Sequence, residues 1–303
     1  MLSAGITTLR LLYRFNRSAH GPRRDVREGT LAIADATSPA AVYEPFGPSK
    51  GSIVLVHGVT GRANADPSIV HLGRSLAGLG YRCIAPALQQ IAHFRHDPAD
   101  VDSLVATLAA AAPTSDSRVS ILAFSYGASY ALSAAAHPAV RERCHALVGF
   151  GAYYELSEAL EHQRQLLLRH PDPATDDADI AYLRYTLLAC HRDTLQLSPE
   201  AWRAIDAVLV DFTTPMPIEL KRAPLLRYAG SLDYVALMES YQARQLSRRL
   251  SPKDTLSDLR CSVGLLHDPG DRFVPPSHVN RIREELDIRK GCAPTRVLTS
   301  PML

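Results

Sequence analysis

The chain has 303 residues, 46% of them hydrophobic and 21% charged, with 33 Lys and Arg against 31 Asp and Glu for a formal net charge of +2. That is enough apolar material for a sizeable core in one large or two small domains, and too even a charge balance to imply nucleic acid as a partner. Five scattered cysteines (Cys83, Cys144, Cys190, Cys261 and Cys292) form no C-x-x-C pair, so reduced thiols in a cytoplasmic compartment are expected rather than a disulfide framework.

Residues 1–27 read as an N-terminal helix and linker. Leu9, Leu11, Leu12, Tyr13 and Phe15 give residues 1–15 an apolar character that Arg10 and Arg14 interrupt. The stretch is too short to span a bilayer and lacks the order of a signal peptide. Two readings stay open: an amphipathic helix in weak contact with a membrane surface, or a helix or loose tail belonging to the domain. Residues 17–27 read as a solvated linker.

Residues 29–34 and 41–45 are short strand candidates. After a Gly-Pro-Ser-Lys-Gly turn comes Ser52-Ile53-Val54-Leu55-Val56, apolar and β-branched as a buried parallel strand should be. It runs into a turn with His57, Gly58 and Val59. Ile69, Leu72, Leu76 and Leu79 are at helical spacing. A strand at 81–85 is closed by Pro86, and a helix at 100–112, with Val101, Leu104, Val105 and Leu108 on one face, is closed by Pro113. Residues 119–123, 128–136 and 146–150 read as strand, helix and strand. This alternation predicts βαβ units and an α/β fold: a mostly parallel central sheet flanked by helices.

Residues 154–259 break the pattern. They are largely helical, with proline breaks at Pro171-Asp172-Pro173 and Thr214-Pro215-Met216-Pro217. The alternation resumes with a strand at 261–266, a helix at 277–286 and a strand at 295–299. Residues 28–153 and 260–303 are therefore expected to form one core, with 154–259 inserted as a helical cap or lid.

The strongest chemical signal is Ala123-Phe124-Ser125-Tyr126-Gly127 between a strand and a helix. A serine on such a turn is forced outward at the top of the sheet, and the helix beyond it aims N–H groups at developing negative charge. Two further pieces are Val56-His57-Gly58-Val59 and His267-Asp268-Pro269-Gly270-Asp271-Arg272-Phe273-Val274-Pro275. Together these segments resemble the α/β-hydrolase superfamily, in particular its serine esterases and lipases. Ala123 replaces the first glycine of Gly-x-Ser-x-Gly, as some lipases do, and Asp268 replaces a glycine in His-Gly-x-x-Asp-x-x-Val-Pro.

The resemblance implies Ser125 as nucleophile, Asp271 as the acid that orients a histidine, and the N–H groups of Val59 and Tyr126 as the oxyanion hole. It implies no cofactor or metal, and a small-molecule hydrophobic acyl substrate carrying an ester or thioester. Asp268 is read as a turn residue and His57 as a brace. His191 and Asp193 do not amount to a metal site, and Arg244, Arg248 and Arg249 read as a solvated helix face. In the family the catalytic histidine follows the last strand, but no histidine occurs after His278. The expectation is a chain shortened at its C-terminus and nearly inactive. The alternatives are a non-catalytic binding relative, an acyltransferase, or substitution by His278, His93 or His96.

Overall fold

The structure, a computed structural model, describes residues 25–33, 39–210, 217–244, 250–288 and the backbone of 296–299. Eight strands form one sheet in the order β1-β2-β4-β3-β5-β6-β7-β8. β1 (Val26–Leu31) and β2 (Ala40–Pro45) join antiparallel to each other, and β2 joins antiparallel to β4 (Arg82–Ala85). β3 (Ser52–Val56), β5 (Val119–Phe124), β6 (Cys144–Phe150), β7 (Ser262–His267) and β8 (Arg296–Thr299) continue in parallel from β4. The carboxyl ends of these parallel strands share one edge, and loops there are the ordinary place for a site.

Local chemistry places the helices. Asp66 accepts a hydrogen bond from Ser68 N–H to cap α1 (Pro67–Gly78), with proline in the first turn. Asp97 does the same for α3 (Pro98–Ala111) through Ala99 N–H. Between them lies a one-turn helix, α2 (Gln89–Ala92), that hydrophobic periodicity does not foresee. The buried Asp100 carboxylate holds it, accepting from Gln90 N–H at 3.2 Å and Ile91 N–H at 2.7 Å. α4 (Tyr126–Ala135) starts two residues earlier than expected and α10 is Pro276–Asp287. β1 also starts early and takes in Val26 and Arg27, which had been read as linker. Only its first residue is buried, so an edge strand of this kind carries no alternation to read.

One face of the sheet presents Val54, Val56, Ile121, Ala123, Leu147 and Leu265 to the helices that follow the parallel strands, with Leu104, Leu108, Tyr130, Val279 and Ile282 in the same cluster. On the other face Leu55, Cys83 and Ala85 pack with Ile69 and Leu76 of α1. Further along that second face Leu122, Phe124 and Phe150 are only half-buried, and the two phenylalanine rings stack at 5.0 Å.

Among the described residues, five α-helices lie between β6 and β7: α5 (Leu156–Arg169), α6 (Ala178–Cys190), α7 (Pro199–Val210), α8 (Ile218–Ala229) and α9 (Tyr234–Arg244). The first proline break separates α5 from α6. The second falls largely on residues 211–216, outside the described residues, and Pro217 precedes α8. This segment leaves and rejoins the core at neighbouring points. Leu156 N–H donates to Ser251 Oγ at 3.1 Å, and the Tyr153 hydroxyl donates to the Leu250 carbonyl at 2.7 Å. Among the described residues no helix is long and apolar enough to cross a membrane. Residues 1–15, where a membrane-surface contact was one reading, lie outside the described residues, as do Arg248 and Arg249.

Candidate active site

Ser125 follows β5 at the carboxyl edge, with φ 54° and ψ −135°. A non-glycine residue there costs about 1–3 kcal/mol and persists only where its surroundings impose it. Here Ser125 N–H donates to the Phe150 carbonyl at 2.6 Å, and Ala128 N–H donates to the Ser125 carbonyl at 2.8 Å. The residue itself is exposed.

The turn after β3 nests against this bend so closely that side chains are excluded. A Cβ on Gly127 would stand 2.1 Å from the His57 carbonyl oxygen, and one on Gly58 would stand 2.8 Å from Ser125 Cβ. This contact brings Val59 beside Ser125. Val59 N–H makes no hydrogen bond within the described residues. Tyr126 N–H opens α4 and has no acceptor inside the helix. Both donors that the resemblance assigned to an oxyanion are therefore uncommitted and close to the serine.

His57 holds the turn. Leu88 N–H donates to its Nε2 at 3.1 Å, so the ring proton is on Nδ1, which donates to the Gly58 carbonyl at 2.7 Å. Burial holds its pKa below the usual histidine value. With both nitrogens engaged it is a brace, as the sequence reading had it.

Asp271 follows β7. Its Oδ1 accepts from Phe273 N–H at 2.9 Å and Val274 N–H at 3.0 Å. Its Oδ2 lies 3.7 Å from the place a Cβ on Gly151 would occupy, and Ser125 Cα lies 3.7 Å from the same point. Ser125 and Asp271 thus flank Gly151, whose φ of +66° suits a residue without a Cβ. Asp268 turns its Oδ1 back to Gly270 N–H at 2.8 Å and is a turn residue.

A cavity of about 110 Å³ opens beside Ser125. Val59 and Phe273 contribute from the core loops, Leu160 and Gln163 from α5, Leu183 and Leu187 from α6. The helical segment is tied down over it: Gln163 Nε2 donates to the Tyr126 hydroxyl, the Tyr182 hydroxyl reaches the Val59 carbonyl at 3.4 Å, and Arg272 pairs with Asp177 at 2.5 Å. Linear motifs carry no signal for Gln163, Tyr182 or Gly151; their place here comes from packing alone.

No histidine among the described residues is hydrogen-bonded to Ser125 or Asp271. His278 is buried in α10 and accepts from Tyr154 N–H at 3.1 Å, while His93 is exposed and bonded to the Gln89 carbonyl. His96 lines the cavity, but its Nδ1 is engaged with the Tyr130 hydroxyl at 2.7 Å. His191 and Asp193 are turned to different partners, the Leu187 carbonyl and Arg95.

No known family model matches this sequence, and no curated protein does. Solved structures match its shape. An esterase from Pyrococcus furiosus superposes with a TM-score of 0.54 at 10% identity, over 91% of this chain and 82% of its own. Wild-type AbyA5 superposes at 0.52 and 14% identity, over 97% of this chain and 71% of its own. A membrane phospholipase A superposes at 0.50 and 19% identity, over 98% of this chain and 87% of its own. The chain has the α/β-hydrolase fold.

Proposed function

We propose that the protein is a serine hydrolase acting on a small or medium hydrophobic ester or thioester through an acyl-enzyme. The observation that carries this reading is Ser125: an exposed hydroxyl on a strained strand-to-helix bend, with two uncommitted N–H groups and a carboxylate around it. Ser125 Oγ attacks the carbonyl carbon, and Val59 and Tyr126 N–H groups receive the oxyanion. The Oγ proton passes to a base that Asp271 orients, and then to the leaving alcohol or thiol. Water repeats the sequence on the acyl-enzyme. The helical segment between β6 and β7 acts as the cap over the acyl pocket.

Ser125 on its bend, the N–H groups of Val59 and Tyr126 and the Asp271 carboxylate support this reading as nucleophile, oxyanion donors and acid. Ser125 should react with a fluorophosphonate, with free imidazole present as a proton acceptor. Intact-mass analysis should find one phosphonate on the wild type, at Ser125, and none on Ser125→Ala. A wild type that stays unlabelled with imidazole present would sink the proposal.

A second reading is a protein that binds an acyl ligand in the cavity beside Ser125 without turning it over. Ligand binding in the cavity with no labelling of Ser125 would select it.

A further inference from the structure

Most polar side chains around the cavity are already satisfied. The Thr186 hydroxyl donates to the Leu183 carbonyl, the Tyr182 hydroxyl to Val59, and the Cys190 thiol to the Phe94 carbonyl. The Tyr241 hydroxyl is buried and has no hydrogen-bond partner among the described residues. Two groups differ, and proton counting shows how.

Gln163 Nε2 lies 3.5 Å from the Phe273 carbonyl, an atom that can only accept, so this end of the amide is the NH₂ end. The amide therefore donates to the Tyr126 oxygen, and the Tyr126 hydroxyl proton is left with no acceptor within the described residues. Next to it, the His96 ring stacks on Tyr126 at 4.8 Å and 18°. Its Nδ1 faces the Tyr130 hydroxyl, whose ring is wholly buried. If Nδ1 carried the proton, the Tyr130 hydroxyl would be buried with nothing to donate to, which is costly. Tyr130 therefore donates to Nδ1, and the proton is on Nε2. That Nε2–H has no hydrogen-bond partner among the described residues, and His96 lines the cavity.

We propose that the cavity's ligand carries a neutral oxygen acceptor within its apolar portion, a ketone, ester, ether or hydroxyl oxygen, received jointly by Tyr126 O–H and His96 Nε2–H. The acceptor is neutral because no Lys or Arg among the described residues lines the cavity, and a carboxylate there would be an uncompensated buried charge. Burial pushes the His96 pKa down to about 3, so the ring offers a hydrogen bond without a charge. The remaining walls, Phe94, Leu160, Leu183, Leu187 and Met238, favour hydrocarbon on either side. This deepens the reading of Ser125 as nucleophile and rests on it for the reaction, but not for binding.

Two measurements separate the claims. The first compares labelling rates of Ser125 by two p-nitrophenyl phosphonates, one with a pentyl and one with a 4-oxopentyl chain, in the wild type, Tyr126→Phe and His96→Phe. Tyr126→Phe keeps the backbone N–H and removes one oxygen atom. The second compares binding of cyclohexanone and cyclohexane to the same three proteins, a readout that does not involve Ser125 chemistry. The oxygenated member of each pair should be favoured by the wild type, and each substitution should reduce that preference about three- to tenfold, the range of one neutral hydrogen bond. Ketone preference without labelling would remove the nucleophile and leave this inference standing. No ketone preference in the wild type, or one that survives both substitutions in folded protein, overturns it. His96→Asn, which keeps a donor, should retain part of the preference and shows that a loss in His96→Phe is not misfolding.

Discussion

The two faces of the sheet are finished differently. On one, Leu147, Ile121 and Leu265 are closed off by helices and lose essentially all contact with solvent. On the other, α1 packs at the β2–β4 side, while Leu122, Phe124 and Phe150 line a hollow of about 570 Å³ that reaches to His57 and Val59. The Ser125 bend stands between the two, since Ser125 continues from Phe124 on the second face and Tyr126 turns into the first. The contrast teaches that, among the described residues, Ser125 is held by backbone nesting and by the closed face.

The largest expected effect is at the nesting point itself. Gly127→Ala places a Cβ 2.1 Å from the His57 carbonyl, a backbone atom that cannot rotate away. Unfolding in urea should show a loss above the usual ~1–3 kcal/mol of overpacking, together with loss of Ser125 labelling. A variant of normal stability and reactivity would mean that the turn and the bend are not held together as described.

A matched pair of truncations compares the faces directly. Leu147→Ala, on the closed face, should cost about 2–5 kcal/mol, and Leu122→Ala, on the open face, less than half of that. Equal losses in denaturant titrations would show that the hollow is filled in solution.

The smallest effect is in the pH response. In both His57 and His278 a ring nitrogen accepts a backbone N–H, so protonation breaks a bond. Burial lowers both pKa values, that of His278 to about 4. The unfolded chain takes up these protons first as pH falls through about 6.5, so stability declines from there, at up to ~1.4 kcal/mol per pH unit for each group. Asp100 acts in the opposite sense, because burial raises its pKa to about 6 and the folded state gains the proton first. His278→Asn should therefore flatten the decline between about pH 6.5 and 4, as measured by denaturation midpoints; an unchanged slope would show that His278 titrates alike in the folded and unfolded states.

The sheet and its bend were legible because their signals are local. A β-branched run reads as β3, and small residues around Ser125 read as a bend because the spacing alone implies close backbone. Asp271 was singled out only by the resemblance of His267–Pro275 to the family's motif, and the structure sets it across Gly151 from Ser125. The rest depends on partners far apart in sequence. Nothing near Gln163 says that it will meet Tyr126, and nothing near Leu88 says that it will donate to His57. β1 lacked alternation because it lies at the edge, and α2 exists because Asp100, ten residues beyond Gln90, reaches back to it.

The stitching at Tyr153–Leu250 and Leu156–Ser251 has a consequence for how such a chain can change. Because the five-helix excursion departs and returns side by side, its length can vary without prising the strands apart, at an entropic cost that grows only with the logarithm of the loop. The cavity walls supplied by α5, α6 and α9 and the Ser125 bend are thereby left to separate stretches of chain. A grafted excursion from another protein would need only to match two neighbouring anchor points to leave the serine where it is.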